Sequence, residues 1–264
     1  MILKQGDCLN LMKEIKDKSI DMILCDLPYG TTACKWDTII PFEPLWKEYN
    51  RIIKDNGTIV LNCSQPFTSE LIHSNLKMFR YCWVWKSNRA ANFAQAPYMP
   101  LKNTEDIAVF SKATIAQNSK NRMKYQPQGL IEIEKICPGK KANDHRPNRA
   151  DQKPYKQTKT NYPTVVLEFD KPSSPVHPTQ KPVELLEYLI KTYSMEGELI
   201  LDNCMGSGST GVSCVNTSRN FYGIEYDEKY FKIAESRIQE AICIKQGIPM
   251  IKPNLDTTSL NESA

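Results

Sequence analysis

Apolar residues in the first 111 positions alternate between a strand-like and a helical period, which predicts strands interleaved with helices. The sequence IDMILC at 20–25 is a near-continuous apolar run and predicts a buried strand. Further strands are predicted at 1–4, 58–63, 81–85 and 106–110, and helices at 42–53 and 66–76. Buried strands that alternate with helices are typical of a parallel or mixed sheet covered on both faces.

The same alternation resumes at residue 172. The pattern predicts helices at 183–193 and 227–244, and another that follows the glycine-rich turn at 206–211 and runs to about 216, with strands at 198–203 and 220–226. Pro182 precedes the first of these helices and Asp227 can cap the last one. We therefore predict one doubly wound α/β sheet built from two halves, 1–111 and 172–250, with a flexible tail at 251–264.

Residues 112–171 differ in composition and are rich in Lys, Asn, Gln and Pro. They hold 13 Lys and Arg against 6 Asp and Glu, a net charge of +7, whereas the chain as a whole carries +4 and the remainder −3. This asymmetry predicts an insertion that binds a polyanion. A solvated linker is the alternative interpretation, although the segment is long for a linker without a role.

The composition argues against a membrane protein and against a small protein stabilised by metal ions or disulfides. The sequence has no apolar run near the roughly 18 residues that a membrane span needs, so we expect no membrane contact. Nine cysteines occur without any C-x-x-C pair, so neither a structural metal nor a disulfide framework is expected. A reducing cytoplasm suits this cysteine usage.

A glycine-rich turn follows the predicted strand at 198–203. Gly206, Gly208 and Gly211 have the spacing of a dinucleotide fingerprint, and Glu225 ends the next strand, where an acid can bind ribose hydroxyls. A dinucleotide-dependent oxidoreductase is therefore one interpretation. Asp7, Asp26 and Asp202 are predicted at the same edge of the sheet, however, and would repel a pyrophosphate. They favour a cationic nucleoside such as S-adenosylmethionine.

Four sequence motifs, and their order along the chain, resemble those of the amino-methyltransferases of DNA. Within that family they match the group in which the catalytic half precedes the cofactor half. DLPYG at 26–30 resembles the catalytic D-P-P-Y motif, and LDNCMGSGSTG at 201–211 resembles the cofactor loop. GDC at 6–8 and HPTQKP at 177–182 resemble two further cofactor segments. The resemblance covers about 1–111 and 172–244, and implies a Rossmann-like S-adenosylmethionine-dependent sheet with an inserted target-recognition region at 112–171.

The resemblance also implies roles at the catalytic motif. A flipped-out base would present its amine to the Asp26 carboxylate and the Leu27 carbonyl. Pro28 would hold both acceptors in place, and Tyr29 would stack on the base. Leu27 stands where the family usually has a first proline, and only its backbone carbonyl is expected to matter.

For the cofactor, the resemblance implies that Asp7 meets the adenine and Lys181 the methionine end. Glu225 would bind the ribose and Asp202 the cationic end, while Gly206 and Gly208 would let the backbone approach closely. Cys204 replaces the usual Phe beside the cofactor, which we expect to loosen the packing there.

The implied activity is methyl transfer from S-adenosylmethionine to N6 of adenine in double-stranded DNA. N4 of cytosine is the nearest alternative, because family members that modify cytosine more often have Ser at the position of Asp26. A non-catalytic DNA-binding relative is a further alternative. Arg146, Arg149 and Lys153 are the predicted DNA contacts, and a homodimer is compatible with the sequence.

Overall fold

A mixed eight-stranded sheet forms the centre of the protein in the computed structural model, which describes residues 1–30, 37–139, 153–174 and 180–249. The order along this sheet is β1-β10-β9-β2-β3-β5-β4-β8, and β6 and β7 form a separate two-stranded sheet. The strands are β1 (Ile2–Gln5), β2 (Ile20–Asp26), β3 (Ile53–Cys63), β4 (Phe79–Ala91), β5 (Lys102–Phe110), β6 (Ile131–Cys137), β7 (Tyr155–Thr160), β8 (Val166–Glu168), β9 (Leu199–Asp202) and β10 (Asn220–Glu225).

The direction of the strands decides which residues meet. β1, β10, β9, β2 and β3 pair in parallel, so their carboxyl ends lie along one edge, which we call the carboxyl edge. β5 runs antiparallel to its neighbours β3 and β4. The start of β5 and the end of β4 therefore lie at the carboxyl edge too.

Helices cover both faces of the sheet, as the sequence predicts. The first three pack on one face through residues such as Leu45, Tyr49 and Phe67, and the last three on the other through residues such as Leu186, Val215 and Ile238. The helices are α1 (Cys8–Leu11), α2 (Phe42–Ile52), α3 (Phe67–Ser74), α4 (Val183–Tyr193), α5 (Ser209–Asn216) and α6 (Glu228–Gln246).

The ends of α6 show how local sequence sets these bounds. Its N-cap, Asp227, accepts a hydrogen bond from the Tyr230 N–H at 3.0 Å, which satisfies one donor of the first turn. Its last turn is closed by Gly247, which adopts the left-handed φ of 67° that favours glycine. None of the helices in the described ranges is long and apolar enough to cross a membrane.

Both ends of the basic segment pack against the sheet. Met123 is buried in the core beneath α4, and Lys124 pairs with Asp21 at 3.0 Å and also with Glu198. β8 pairs in parallel with β4 and extends the main sheet by one strand. The division of the chain at 112 and 171 remains a prediction, but residues 166–168 join the main sheet, which periodicity over three residues could not indicate.

Candidate active site

A cavity of about 840 Å³ opens at the carboxyl edge. It is lined by nine of the ten residues that the sequence predicts for catalysis and cofactor binding. These nine are Asp7, Asp26, Leu27, Pro28, Tyr29, Lys181, Asp202, Gly206 and Glu225. The fold thus brings both predicted motifs to one cavity, because β9 lies directly beside β2.

The glycine loop forms one wall, and its two predicted glycines serve different purposes. Gly206 has a φ of 51°, and a Cβ there would meet no atom within 4 Å, so its backbone lies open to a ligand. Gly208 has a φ of 80° and does not line the cavity. A Cβ on Gly208 would lie 2.9 Å from the Cα of Ala234, so this glycine lets α6 pack closely.

Glu225 ends β10 and holds this loop in place. One carboxylate oxygen accepts the Gly206 N–H at 2.8 Å, and the other accepts the Asp227 N–H at 2.9 Å. Burial raises the pKa of Glu225 against the lowering effect of these backbone bonds. Each oxygen retains a second acceptor direction, so a ligand hydroxyl can bind the same carboxylate.

Asp202 lies deeper than the other acids of the cavity. It is 2% exposed, and its carboxylate accepts the Thr210 hydroxyl at 2.6 Å and the Cys204 N–H at 3.1 Å. Burial raises the pKa of Asp202 to about 7. At neutral pH the Asp202 carboxyl group is therefore only partly charged. It repels a pyrophosphate less than the sequence suggests, and the other acids of the cavity contribute more of that repulsion.

Asp7 lies at the exposed rim of the cavity. Its carboxylate caps α1 by accepting the Asn10 N–H at 2.9 Å. The preceding residue, Gly6, donates its N–H to the Glu225 carbonyl at 2.9 Å and ties the rim to β10. Asp7 and Glu225 are thereby held at neighbouring positions, as the contacts of a single nucleoside require.

Asp26 is the last residue of β2 and is held at both oxygens. The Tyr29 hydroxyl donates to one at 2.6 Å, and the Lys181 ammonium donates to the other at 2.8 Å. The Tyr29 ring stacks on Phe67 with 5.1 Å between centroids. Its proposed stacking on a target base stays a prediction. Leu27 packs into the hydrophobic core and is 4% exposed, although the residue also lines the cavity. The role of its backbone carbonyl stays a prediction.

Lys181 lies against the catalytic motif. Its ammonium pairs with Asp26 and, at 3.2 Å, with Glu105, and only 8% of its side chain is exposed. Burial alone would lower the pKa of Lys181, but the charges of the two carboxylates raise it above its usual value. Its predicted contact with the methionine end of a cofactor stays a prediction.

Among the cavity residues that sequence reasoning missed are two polar ones on central strands, Glu105 on β5 and Asn62 on β3. Asn62 pairs across the sheet with Asp26 and is 2% exposed. Its side-chain oxygen has no hydrogen-bond partner within the described ranges, which is unusual for a buried polar atom. A polar residue directly after the apolar run at 59–61 is the signal that could have indicated it.

The predicted DNA contacts are only partly described. Arg146 and Arg149 lie outside the described residues. Lys153 is exposed and comes two residues before β7, one of the two strands of the small sheet. The predicted interface therefore remains a prediction.

The residues of the cavity fit a cationic nucleoside. Carboxylates lie at Glu225 and Asp7 for a nucleoside, Gly206 presents open backbone, and Asp202 can gain charge when a cation approaches. The partly exposed carboxylate of Asp26 can accept a hydrogen from an amine. The arrangement can thus hold a positively charged ligand beside a group that carries an amine.

Comparison with known proteins gives one family match and several relatives. A family model described as DNA methylase matches residues 20–236. Type II methyltransferase M2.DpnII of Streptococcus pneumoniae is 28% identical over 266 residues, covering 90% of each chain. DNA adenine methyltransferase YhdJ of Escherichia coli K12 is 28% identical over 254 residues, covering 89% of this chain and 82% of that protein.

A solved structure has the same fold. The M1.HpyAVI–SAM complex superposes with a TM-score of 0.58 at 21% identity, covering 90% of this chain and 98% of the other. At this identity the likeness concerns the fold alone.

Proposed function

The chain belongs to the DNA methylase family, and from that premise we propose that it transfers a methyl group from S-adenosylmethionine to N6 of adenine in duplex DNA. One observation carries the proposal. The catalytic motif, with Asp26, and the glycine loop, with Gly206 and Glu225, line the same cavity although they lie at opposite ends of the chain. The donor and the acceptor of a methyl group must meet in such a place.

The cofactor's sulfonium supplies a methyl group that is open to attack by a nucleophile. An exocyclic amine is a poor nucleophile, because its lone pair is delocalised into the base. Asp26 would accept one amine hydrogen and the Leu27 carbonyl the other, which orients the lone pair. The bond from nitrogen to methyl would form as the bond from methyl to sulfur breaks, which leaves a neutral thioether. The Asp26 carboxylate would stabilise the positive charge that develops on the amine nitrogen, and the nitrogen would then lose one proton to water.

Adenine is favoured over cytosine by two observations. An acid, Asp26, stands at the catalytic position where cytosine-modifying members more often have Ser. One relative, YhdJ, is named as an adenine methyltransferase. The test is to incubate DNA with the protein and S-adenosylmethionine and then to analyse its nucleosides by mass spectrometry. N6-methyladenine supports the proposal, whereas N4-methylcytosine or an unmethylated product contradicts it.

We further propose that the basic segment binds the DNA backbone. Its net charge of +7 supports this, together with its position beside the sheet that carries the cavity. DNA affinity should fall with salt, with a log–log slope of about −0.9 for each phosphate neutralised.

Replacing Arg146, Arg149 and Lys153 together by Ala should make this slope less negative by up to about 0.9 for each of the three cations, because each cation neutralises one phosphate. Fluorescence anisotropy at several salt concentrations measures the slope. Binding of S-adenosylmethionine should not change. A triple variant that keeps the parental slope and site preference would show that other residues make these contacts.

We place the enzyme in the cytoplasm and retain a homodimer as a proposal. In support of the location, the eight cysteines in the described part of the chain are all free thiols. Several large apolar side chains in residues 93–101 are exposed, among them Phe93 and Tyr98. Light scattering of the purified protein tests the dimer.

A further inference from the structure

A single buried ammonium lies between two carboxylates at the catalytic end of the cavity. Lys181 Nζ is 2.8 Å from Asp26 Oδ2 and 3.2 Å from Glu105 Oε2. The side chains of Asp26 and Glu105 are 24% and 21% exposed, so water screens this cluster only in part. Electrostatic effects among the three groups are correspondingly larger than on the surface.

The fold creates this cluster by reversing one strand. β2 ends at Asp26, and β3 lies between β2 and β5. Because β5 is antiparallel to β3, its fourth residue, Glu105, lies near the carboxyl edge. Lys181 lies two residues before α4, and its side chain reaches the same place. α4 packs on the face of the sheet that also carries the last two helices.

Lys181 presents an electrostatic difficulty for the proposed reaction. The positive charge moves from sulfonium to the amine nitrogen, toward Asp26, so a net negative charge at this point lowers the barrier. An ammonium that is 2.8 Å from Asp26 Oδ2 would cancel most of that charge if it acted alone. The observed cluster contains a second carboxylate, and its net charge is therefore negative.

We propose that Glu105 is a positioning residue for methyl transfer, which offsets the charge of Lys181 so that Asp26 remains an effective anion. The inference rests on the proposed function. Lys181 then fixes the orientation of Asp26 from one side while the Tyr29 hydroxyl fixes it from the other. Glu105 lets this clamp exist without neutralising the carboxylate that it holds.

The first test is Glu105→Gln, which keeps the size of the side chain and removes its charge. Single-turnover methylation at saturating cofactor and DNA should slow by about 10- to 100-fold, by analogy with the loss of a hydrogen-bonding partner that holds a ligand of a catalytic metal. Cofactor and DNA dissociation constants, measured by calorimetry and anisotropy, should change by less than about 3-fold, which corresponds to about 0.7 kcal/mol.

A second variant separates charge balance from structural support. In the Glu105→Gln background, Lys181→Met removes the ammonium that has lost its second partner. At saturating cofactor the double variant should methylate faster than Glu105→Gln alone, because Asp26 regains its full charge and the Tyr29 hydroxyl still orients it. A purely structural ion pair predicts the opposite, because a second loss in the same cluster would slow the enzyme further. The matched control is Glu14→Gln, which breaks an exposed pair with Lys4 and should leave the rate unchanged.

Three results would overturn the inference. They are a Glu105→Gln rate within 3-fold of the parent, a double variant no faster than Glu105→Gln, and a rate loss matched by lost cofactor or DNA binding. Failure of the proposed function has a different signature. If the parent protein methylates cytosine, the relative rates of the variants still test the charge balance on that base. If it methylates nothing, the inference is overturned together with the proposed function.

Discussion

Asp26→Ala should reduce the single-turnover rate of methylation by on the order of 100-fold or more, while the binding of cofactor and DNA is retained. The expected size is that of losing one preorganised group that stabilises charge in the transition state. Binding should survive because it is supplied by residues elsewhere in the cavity and in the basic segment. Rapid-quench methylation at saturating cofactor and DNA, followed by nucleoside mass spectrometry, measures the rate.

Asp26→Asn is the matched companion of this variant. It retains the shape of the side chain and an oxygen for the Tyr29 hydroxyl, but it removes the charge that Lys181 and the substrate amine share. If Asp26→Asn loses as much of the single-turnover rate as Asp26→Ala does, the effect is due to the lost charge and not to the cavity left by the shorter side chain. Near-normal turnover by either variant would refute the proposed role of Asp26.

The second large effect is expected at Glu225. Glu225→Ala should weaken S-adenosylmethionine binding, because the carboxylate both offers acceptors to a ribose and holds the N–H groups of Gly206 and Asp227. Two charge-assisted hydrogen bonds at roughly 1.5–3 kcal/mol each set an upper limit of several kcal/mol. Isothermal calorimetry measures the change.

Glu228→Gln provides the control for this measurement. Glu228 begins α6 three residues later and its side chain is 66% exposed, so its loss should leave cofactor affinity unaltered. Unchanged affinity in Glu225→Ala would contradict the ribose assignment. Tight binding of a nicotinamide dinucleotide by the parent protein would instead favour the oxidoreductase interpretation.

The sequence predicted most elements of the fold because their signals are local. The predicted helix at 183–193 has the observed bounds, and Asp227 caps α6 as expected. The strands predicted at 58–63, 81–85 and 106–110 lie in the right places but are too short, those at 198–203 and 220–226 are slightly too long, and β6, β7 and β8 were not predicted. β4 extends to Ala91 through mostly polar residues. Pairing with β5, rather than apolar content, keeps that end of β4 extended.

The site could be predicted where it depends on motifs and not where it depends on distant contacts. The acids at strand ends and the open glycine at 206 are visible as residue types at fixed spacings. The contact of Lys181 with Asp26 spans 155 positions, and Glu105 reaches it only because one strand is reversed. The raised pKa of Asp202 likewise results from burial, which its neighbours in sequence do not reveal.

The order of strands in the sheet has a consequence for how the chain folds as it is synthesised. β9 and β10 are the last two strands made, yet they insert between β1 and β2, which are among the first. One side of β2 is an open edge until β9 (Leu199–Asp202) has left the ribosome, and β1 has no partner until β10 (Asn220–Glu225) has done so. Unpaired strand edges promote aggregation. A chain truncated before β9 should therefore not fold by itself, and it should aggregate more than the full chain does.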